Sequence, residues 1–189
     1  MDRRKALASI ALLVGGTLVG SEAFLTGCKT TGKKEGLFAT DDIALLDEVG
    51  DTILPTTASS PGAKAAKIGE FMKVIVTDCY DEGDQKAFTD GIEKLNDASK
   101  KKFDKSFIEL AANQKHDLLV SLDKEAKDYD KNKKEKDAKH YFSLMKQLTL
   151  WGYFTSEAGA THALRYLPVP GKYDGDVPYK KGDKAWALG

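Results

Sequence analysis

The amino-acid sequence predicts an all-α fold: a single compact helical domain of about five to seven helices with an extended Pro/Gly-rich C-terminal tail. Three observations lead there. From Thr40 onward, apolar residues recur at three- and four-residue steps, the period of an amphipathic helix. No stretch alternates apolar and polar residues for long enough to make a strand. Beyond Leu167, Pro168, Pro170, Gly171, Gly175, Pro178 and Gly182 follow at intervals that no regular helix tolerates. The chain has 189 residues, 41% of them hydrophobic and 31% charged, which suits one globular domain with its own core. The formal net charge is zero. Setting aside Asp2, Arg3, Arg4, Lys5 and Glu22 leaves −1, so nothing points to nucleic acid as a partner.

Residues 1–27 read as an address rather than as part of the fold. Arg3, Arg4 and Lys5 precede an apolar run from Ala8 to Val19, too short to cross a bilayer but proportioned like a signal peptide. Paired arginines at this place resemble a twin-arginine export signal, and Leu7 fits its apolar position. Ala6 and Asp2 depart from that motif, so a general secretory signal stays open as the alternative. The segment ends Leu25-Thr26-Gly27-Cys28, which looks like a lipobox, and this makes Cys28 the expected site of lipidation. Several buried acyl chains, at about 0.8 kcal/mol per methylene, would hold such a chain to a membrane. Residues 28–39 then form a tether, polar and Gly-containing from Lys29 to Gly36. The resulting protein is exported to the periplasmic side of a bacterial membrane, with inner or outer membrane left open.

The helical domain spans 40–189. Thr40 is placed to cap a first helix with Asp41 and Asp42 in its first turn and Ile43, Leu46, Val49 and Ile53 on one face, stopped by Pro55. A loop with Pro61-Gly62 leads to a second helix carrying Ile68, Phe71, Met72, Ile75 and Cys79. Val74 and Val76 make that helix apolar nearly all round, which predicts a central position and a buried, unreactive thiol at Cys79. Gly83 closes this stretch, and Phe88, Ile92 and Leu95 mark a third helix. Phe103, Phe107 and Leu110 suggest a short fourth, and Asn113 is placed to cap a fifth containing Leu118, Leu119 and Leu122. Asp123 to Lys139 holds seven lysines and six acidic residues with alternating signs, a solvated face or loop. A last long helix runs from about Asp137 through Tyr141, Phe142, Met145, Leu148 and Trp151. A short helical segment to Tyr166 follows, capped by Ser156 or Thr155.

No catalytic, cofactor-binding or metal-binding motif is found. His116, His140 and His162 are far apart, and none has a second ligand at helical spacing. No Cys-x-x-Cys-His, phosphate loop or Gly-x-Gly-x-x-Gly occurs. Asp174-Gly175-Asp176 lacks the rest of a calcium loop and reads as a turn. An exported, lipidated helical domain of this kind is expected to bind something.

Several segments resemble the gluconate 2-dehydrogenase subunit 3 family: Leu46 to Val49 with Ile53-Leu54-Pro55, Pro61-Gly62-Ala63, Trp151 to Gly159, Tyr166, and Pro170 to Tyr173 with Gly175 to Pro178. The resemblance covers about residues 40–180. It implies a small, cofactor-free accessory subunit of a membrane-associated sugar or sugar-acid dehydrogenase, whose large subunit carries FAD and often passes electrons to a multi-haem cytochrome c. It also implies that the small subunit brings the twin-arginine signal and that the folded flavin subunit is exported with it. Carried over, Trp151, Gly152, Tyr153, Glu157, Gly159, Tyr166, Pro170, Gly171 and Tyr173 become the candidate partner interface. The same residues are equally suited to packing the tail onto the chain's own helices. Two other readings stay open: a stand-alone carbohydrate-binding lipoprotein stacking sugars on Trp151, Trp186 and tyrosines, and an enzyme using Glu157 with Asp174 or Asp176 as acid and base.

Overall fold

The computed structural model describes residues 36–169 and 171–187, and there the helical period is realised as five α-helices. Arg3, Arg4, Cys28 and the tether up to residue 35 lie outside the described residues, as does Pro170. The helices are α1 (Thr40–Ile53), α2 (Ile68–Cys79), α3 (Glu82–Phe103), α4 (Ala112–Asn132) and α5 (Tyr141–Thr155). Short 3₁₀ turns at Ala63–Ala66 and Phe107–Glu109 and a π-helical turn at Gly159–Ala163 complete the set. The described residues contain no strand, and the fold is all-α as expected.

Helix starts are fixed by side chains one turn in, and not always by the residue expected. At α1 the Asp42 carboxylate accepts the Ala39 N–H at 2.7 Å, so Ala39 is the cap residue and Thr40 already belongs to the helix. Gln114 does the same for α4, accepting the Ala111 N–H at 3.1 Å, and Asn113 lies inside the first turn. Asp81 starts α3 by accepting the Asp84 N–H at 2.8 Å. Gly83 therefore sits inside α3 rather than ending the helix before it. Phe103 is the last residue of α3, and the expected short fourth helix is only the Phe107–Glu109 turn. That turn is anchored by Phe107 N–H to Asn96 Oδ1 at 3.1 Å.

The central helix is α5, which packs against α1, α2, α3 and α4 in turn. Tyr141, Phe142, Leu144, Met145, Leu148, Thr149, Gly152 and Tyr153 are all buried and form one broad face, about half of the helix circumference. The expectation that α2 is central is not met. Ile68, Met72 and Val76 face the core, but Val74 is 52% exposed and Cys79, expected to be buried, is exposed at the helix end. A β-branched run serves a one-sided helix as well as a central one, because composition does not say how many neighbours a helix has. Phe38, placed in the tether on sequence grounds, is buried and meets Phe88 edge-on with centroids 6.1 Å apart, so the packed domain begins there.

Gly91 of α3 is the crossing point with α5. A Cβ there would lie 2.3 Å from the Tyr141 Cβ, so the two backbones approach as closely as they do only because the position is glycine. Tyr141, held against α3, has its hydroxyl pKa pushed up to about 12 by burial. The residue before it, His140, starts α5. Its Nδ1 accepts the Phe142 N–H at 3.2 Å, while its own N–H goes to Asp130 at 2.9 Å. Asp130 also accepts the Ser143 hydroxyl at 2.5 Å and so ties the end of α4 to the start of α5. Ion pairs link other helices: Lys115 of α4 reaches Glu48 of α1 at 2.8 Å, and Lys146 of α5 reaches Asp123 of α4 at 2.6 Å. Hydrogen bonds from Lys115 and Lys64 hold the Glu48 carboxyl below its usual range, and those from Lys127 and Lys146 do the same for Asp123.

Two outcomes follow. Gly91→Ala is expected to destabilise the domain by about 2 kcal/mol despite alanine's better helix propensity, because Tyr141 has no rotamer that moves its Cβ. Urea unfolding monitored by circular dichroism checks this. Burial holds the His140 pKa below its ordinary value, against the opposing pull of Glu125 and Asp130. Its contribution is therefore complete above the unfolded value near pH 6.5 and declines as pH falls through the lower folded value, where the unfolded chain binds the extra proton. His140→Asn keeps a cap acceptor without a titrating ring, and a shallower loss of stability as pH falls below about 6.5 is expected in urea titrations of that variant.

Candidate partner surface

The last turn of α5 sends its side chains two ways. Successive helical residues are about 100° apart, so Gly152 and Tyr153 turn inward while Trp151 and Phe154, three apart, share the outer face. Leu150 lies next to them, so Leu150, Trp151 and Phe154 form an exposed apolar ridge with Gln147 above it. Phe71 of α2 supports the ridge, meeting Trp151 edge-on at 5.6 Å and 86°.

The inward residues are occupied by the chain itself. A Cβ on Gly152 would lie 2.5 Å from the Phe71 ring, so this glycine lets α5 approach α2. The Tyr153 ring is 1% exposed, and its hydroxyl hydrogen-bonds Ser60 in the loop after α1. The Tyr153 carbonyl accepts the Ser156 hydroxyl at 2.7 Å, and Ser156 Oγ in turn accepts the Gly159 N–H at 3.1 Å. Ser156 thus caps the next turn, one of the two residues expected to do so. A Cβ on Gly159 would sit 1.9 Å from the Tyr153 carbonyl oxygen, and only glycine fits that reversal. Of the candidate interface residues, then, Gly152, Tyr153 and Gly159 are inside the fold, and Trp151, Glu157, Tyr166, Gly171 and Tyr173 are at the surface. Phe154 and Leu150 were not singled out from the sequence. Their spacing with Trp151 was the available signal, but an aromatic-rich helix offers several such stripes and burial alone decides which one faces out.

After the π-helical turn the chain leaves the helices. Every described residue from Tyr166 to Trp186 is exposed. Asp174 accepts the Asp176 N–H at 3.3 Å and pairs with Lys172 at 3.3 Å, the geometry of a turn. The segment is not the extended tail expected, because it returns. Arg165 and Trp186 form a parallel bridge, and the Arg165 guanidinium lies over the Trp186 ring at 4.3 Å. That covers one face of the indole which the carbohydrate-binding reading would use.

Each histidine has a partner of its own: His140 caps α5, His116 is exposed beside Asp117, and His162 bonds Thr161 at 2.8 Å. The described residues hold no group of three or more His, Cys, Asp or Glu side chains able to hold a metal ion. No described helix is long and apolar enough to cross a membrane. An open groove of about 250 Å³ between α1, α4 and α5 includes Ile53, Val120, Phe142 and the Asp123–Lys146 pair, whose charges neutralise each other.

Among the described residues, then, the domain is all-α, and its last helix and the following loop turn aromatic side chains outward. The chain matches the model of the family described as gluconate 2-dehydrogenase subunit 3 over residues 40–171, and it belongs to that family. No curated protein and no solved structure matches it. The match spans all five helices and the Trp151–Gly159 segment, and its description places the chain as a subunit in a gluconate 2-dehydrogenase complex.

The Tyr153–Ser60 hydrogen bond distinguishes the structural half of this segment from the outward half. Tyr153→Phe and Ser60→Ala are each expected to cost about 1 kcal/mol, and the double variant little more than either alone, since the second change removes a group already without its partner. A double-mutant cycle in urea measures the coupling. Additive losses would show the bond to be absent in solution.

Proposed function

We propose that this chain is a non-catalytic small subunit that binds, co-exports and membrane-tethers an FAD-dependent sugar or sugar-acid oxidoreductase. Membership in the subunit 3 family carries this reading. The leader supports it. Arg3 and Arg4 before an apolar run fit the twin-arginine route, which transports folded, cofactor-loaded cargo, and a subunit with that signal brings its flavin partner out with it. Cys28 in the lipobox supplies the anchor. The exposed ridge of Leu150, Trp151 and Phe154 supplies apolar area of the type that partner interfaces cover. FAD resides in the partner, and a multi-haem cytochrome c is the natural electron acceptor of the assembly. The substrate pocket then lies in the flavin subunit, so this chain contributes assembly and location rather than chemistry.

The full-length tagged chain, extracted from its own cells in mild detergent, is expected to carry a flavin-containing subunit in equal amount. Arg3→Lys with Arg4→Lys is expected to leave both proteins in the cytoplasm, and Cys28→Ser to move the complex from the membrane to the soluble fraction. A chain that purifies colourless and alone would overturn the proposal.

A further inference from the structure

Every described residue from Tyr166 to Trp186 is exposed, yet the segment is not a free end. The Arg165 N–H donates to the Ala185 carbonyl and the Ala187 N–H to the Arg165 carbonyl, both at 2.8 Å. The guanidinium stacks on Trp186, and Lys184 donates to the His162 carbonyl. Within the loop, Gly182 has a φ of +95°, and the adjoining turn is closed by the Lys180 N–H on the Asp183 carboxylate at 3.0 Å and the Asp183 N–H on the Lys180 carbonyl at 2.9 Å. Closing a loop costs entropy. Burial does not offset it here: Val169 is 79% exposed, Tyr173 95% and Tyr179 75%.

We propose that the Arg165–Trp186 clasp presents residues 171–184 as a preformed docking loop for the larger, flavin-bearing subunit, with Tyr173 and Tyr179 as its anchors. This rests on the accessory-subunit reading above. Tyrosine gives large amphipathic contact area for only two side-chain torsions, which is why it is enriched in loop-borne binding surfaces. A loop already closed before encounter loses less freedom on binding than a free end would. The charges select protein over lipid as the occupant. Lys172, Lys180, Lys181 and Lys184 are interspersed with Asp174, Asp176 and Asp183, and two of those aspartates are engaged with Lys172 and the Lys180 N–H. Such a surface lacks the one-sided basic charge that draws a segment to an anionic bilayer.

The test uses the flavin subunit co-purified with the full chain, separated from it and titrated back by calorimetry onto full chains carrying Cys28→Ser. Tyr173→Ala with Tyr179→Ala is expected to weaken binding by about thirtyfold at an unchanged melting temperature. Trp186→Ala is expected to weaken it about tenfold and to speed hydrogen exchange at the Ala187 amide, with Trp186→Phe restoring both. If the wild-type chain binds the flavin subunit and the tyrosine variant binds it equally well, the docking loop is overturned and the subunit reading stands. Loss of binding in Trp151→Ala with Phe154→Ala alone would then move the contact to the α5 ridge. If the wild-type chain fails to bind, both ideas fall. Sedimentation with phosphatidylglycerol vesicles that depends on Tyr173 and Tyr179, with flavin-subunit affinity unchanged, would also overturn the proposal and make the loop a membrane contact.

Discussion

The rest of the fold depends on the close contact that α5 makes with all four other helices. Helix axes normally stand 8–10 Å apart, a separation set by the side chains at the crossing. Glycine at two crossings removes that spacer. Gly91 brings α3 onto the Tyr141 Cβ, and Gly152 lets the Phe71 ring of α2 lie against the α5 backbone. Between those points Phe142, Met145, Leu148 and Thr149 fill the middle of the domain, and the Thr149 hydroxyl is satisfied by the Met145 carbonyl at 2.8 Å. A helix packed against four others must have its ends fixed as well. His140 and Asp130 do this at the start of α5, and Ser156 does it after the end.

That arrangement also decides what the protein offers outward. Once α5 has committed Gly152 and Tyr153 to the interior, Trp151 and Phe154 are left outside by helical geometry alone. The reversal at Gly159 then carries the chain off the helices and into a loop that none of them covers. Structural and outward-facing residues are thus neighbours in one short segment. A motif of this kind mixes two constraints: its glycines answer to the backbone of the same chain, and its exposed aromatics answer to a surface.

The helical class and the stripes of α1, α3 and α4 were legible because an amphipathic period is a local property. Leu46, Val49, Phe88, Ile92, Leu95, Leu118, Leu119 and Leu122 are all buried. Errors gathered where the pattern was saturated or the signal was non-local. In α2 a run of apolar residues hides its one-sidedness, and composition alone places Val74 and Cys79 inside. At α1 and α4 an acceptor three residues along replaced the expected cap, leaving alanines at the cap positions. In the site region, the family resemblance names Trp151 and Tyr153 together and does not divide one from the other. The partner of Tyr153 is Ser60, far away in sequence, and no spacing rule reaches that distance.

The sequence by itself determined which stretches are helical, that the first helix stops before Pro55, and which family the chain belongs to. These follow from periodicity, Pro and Gly placement and short motifs, all of which act within a few residues. Only the tertiary structure decided that α5 rather than α2 is central, that two of the motif's glycines and its tyrosine face inward, and that Trp186 folds back onto Arg165. Each of those depends on which helices meet and how closely. That is settled by the summed packing of the whole domain, where a single missing Cβ at Gly91 or Gly152 sets the distance between elements remote in sequence.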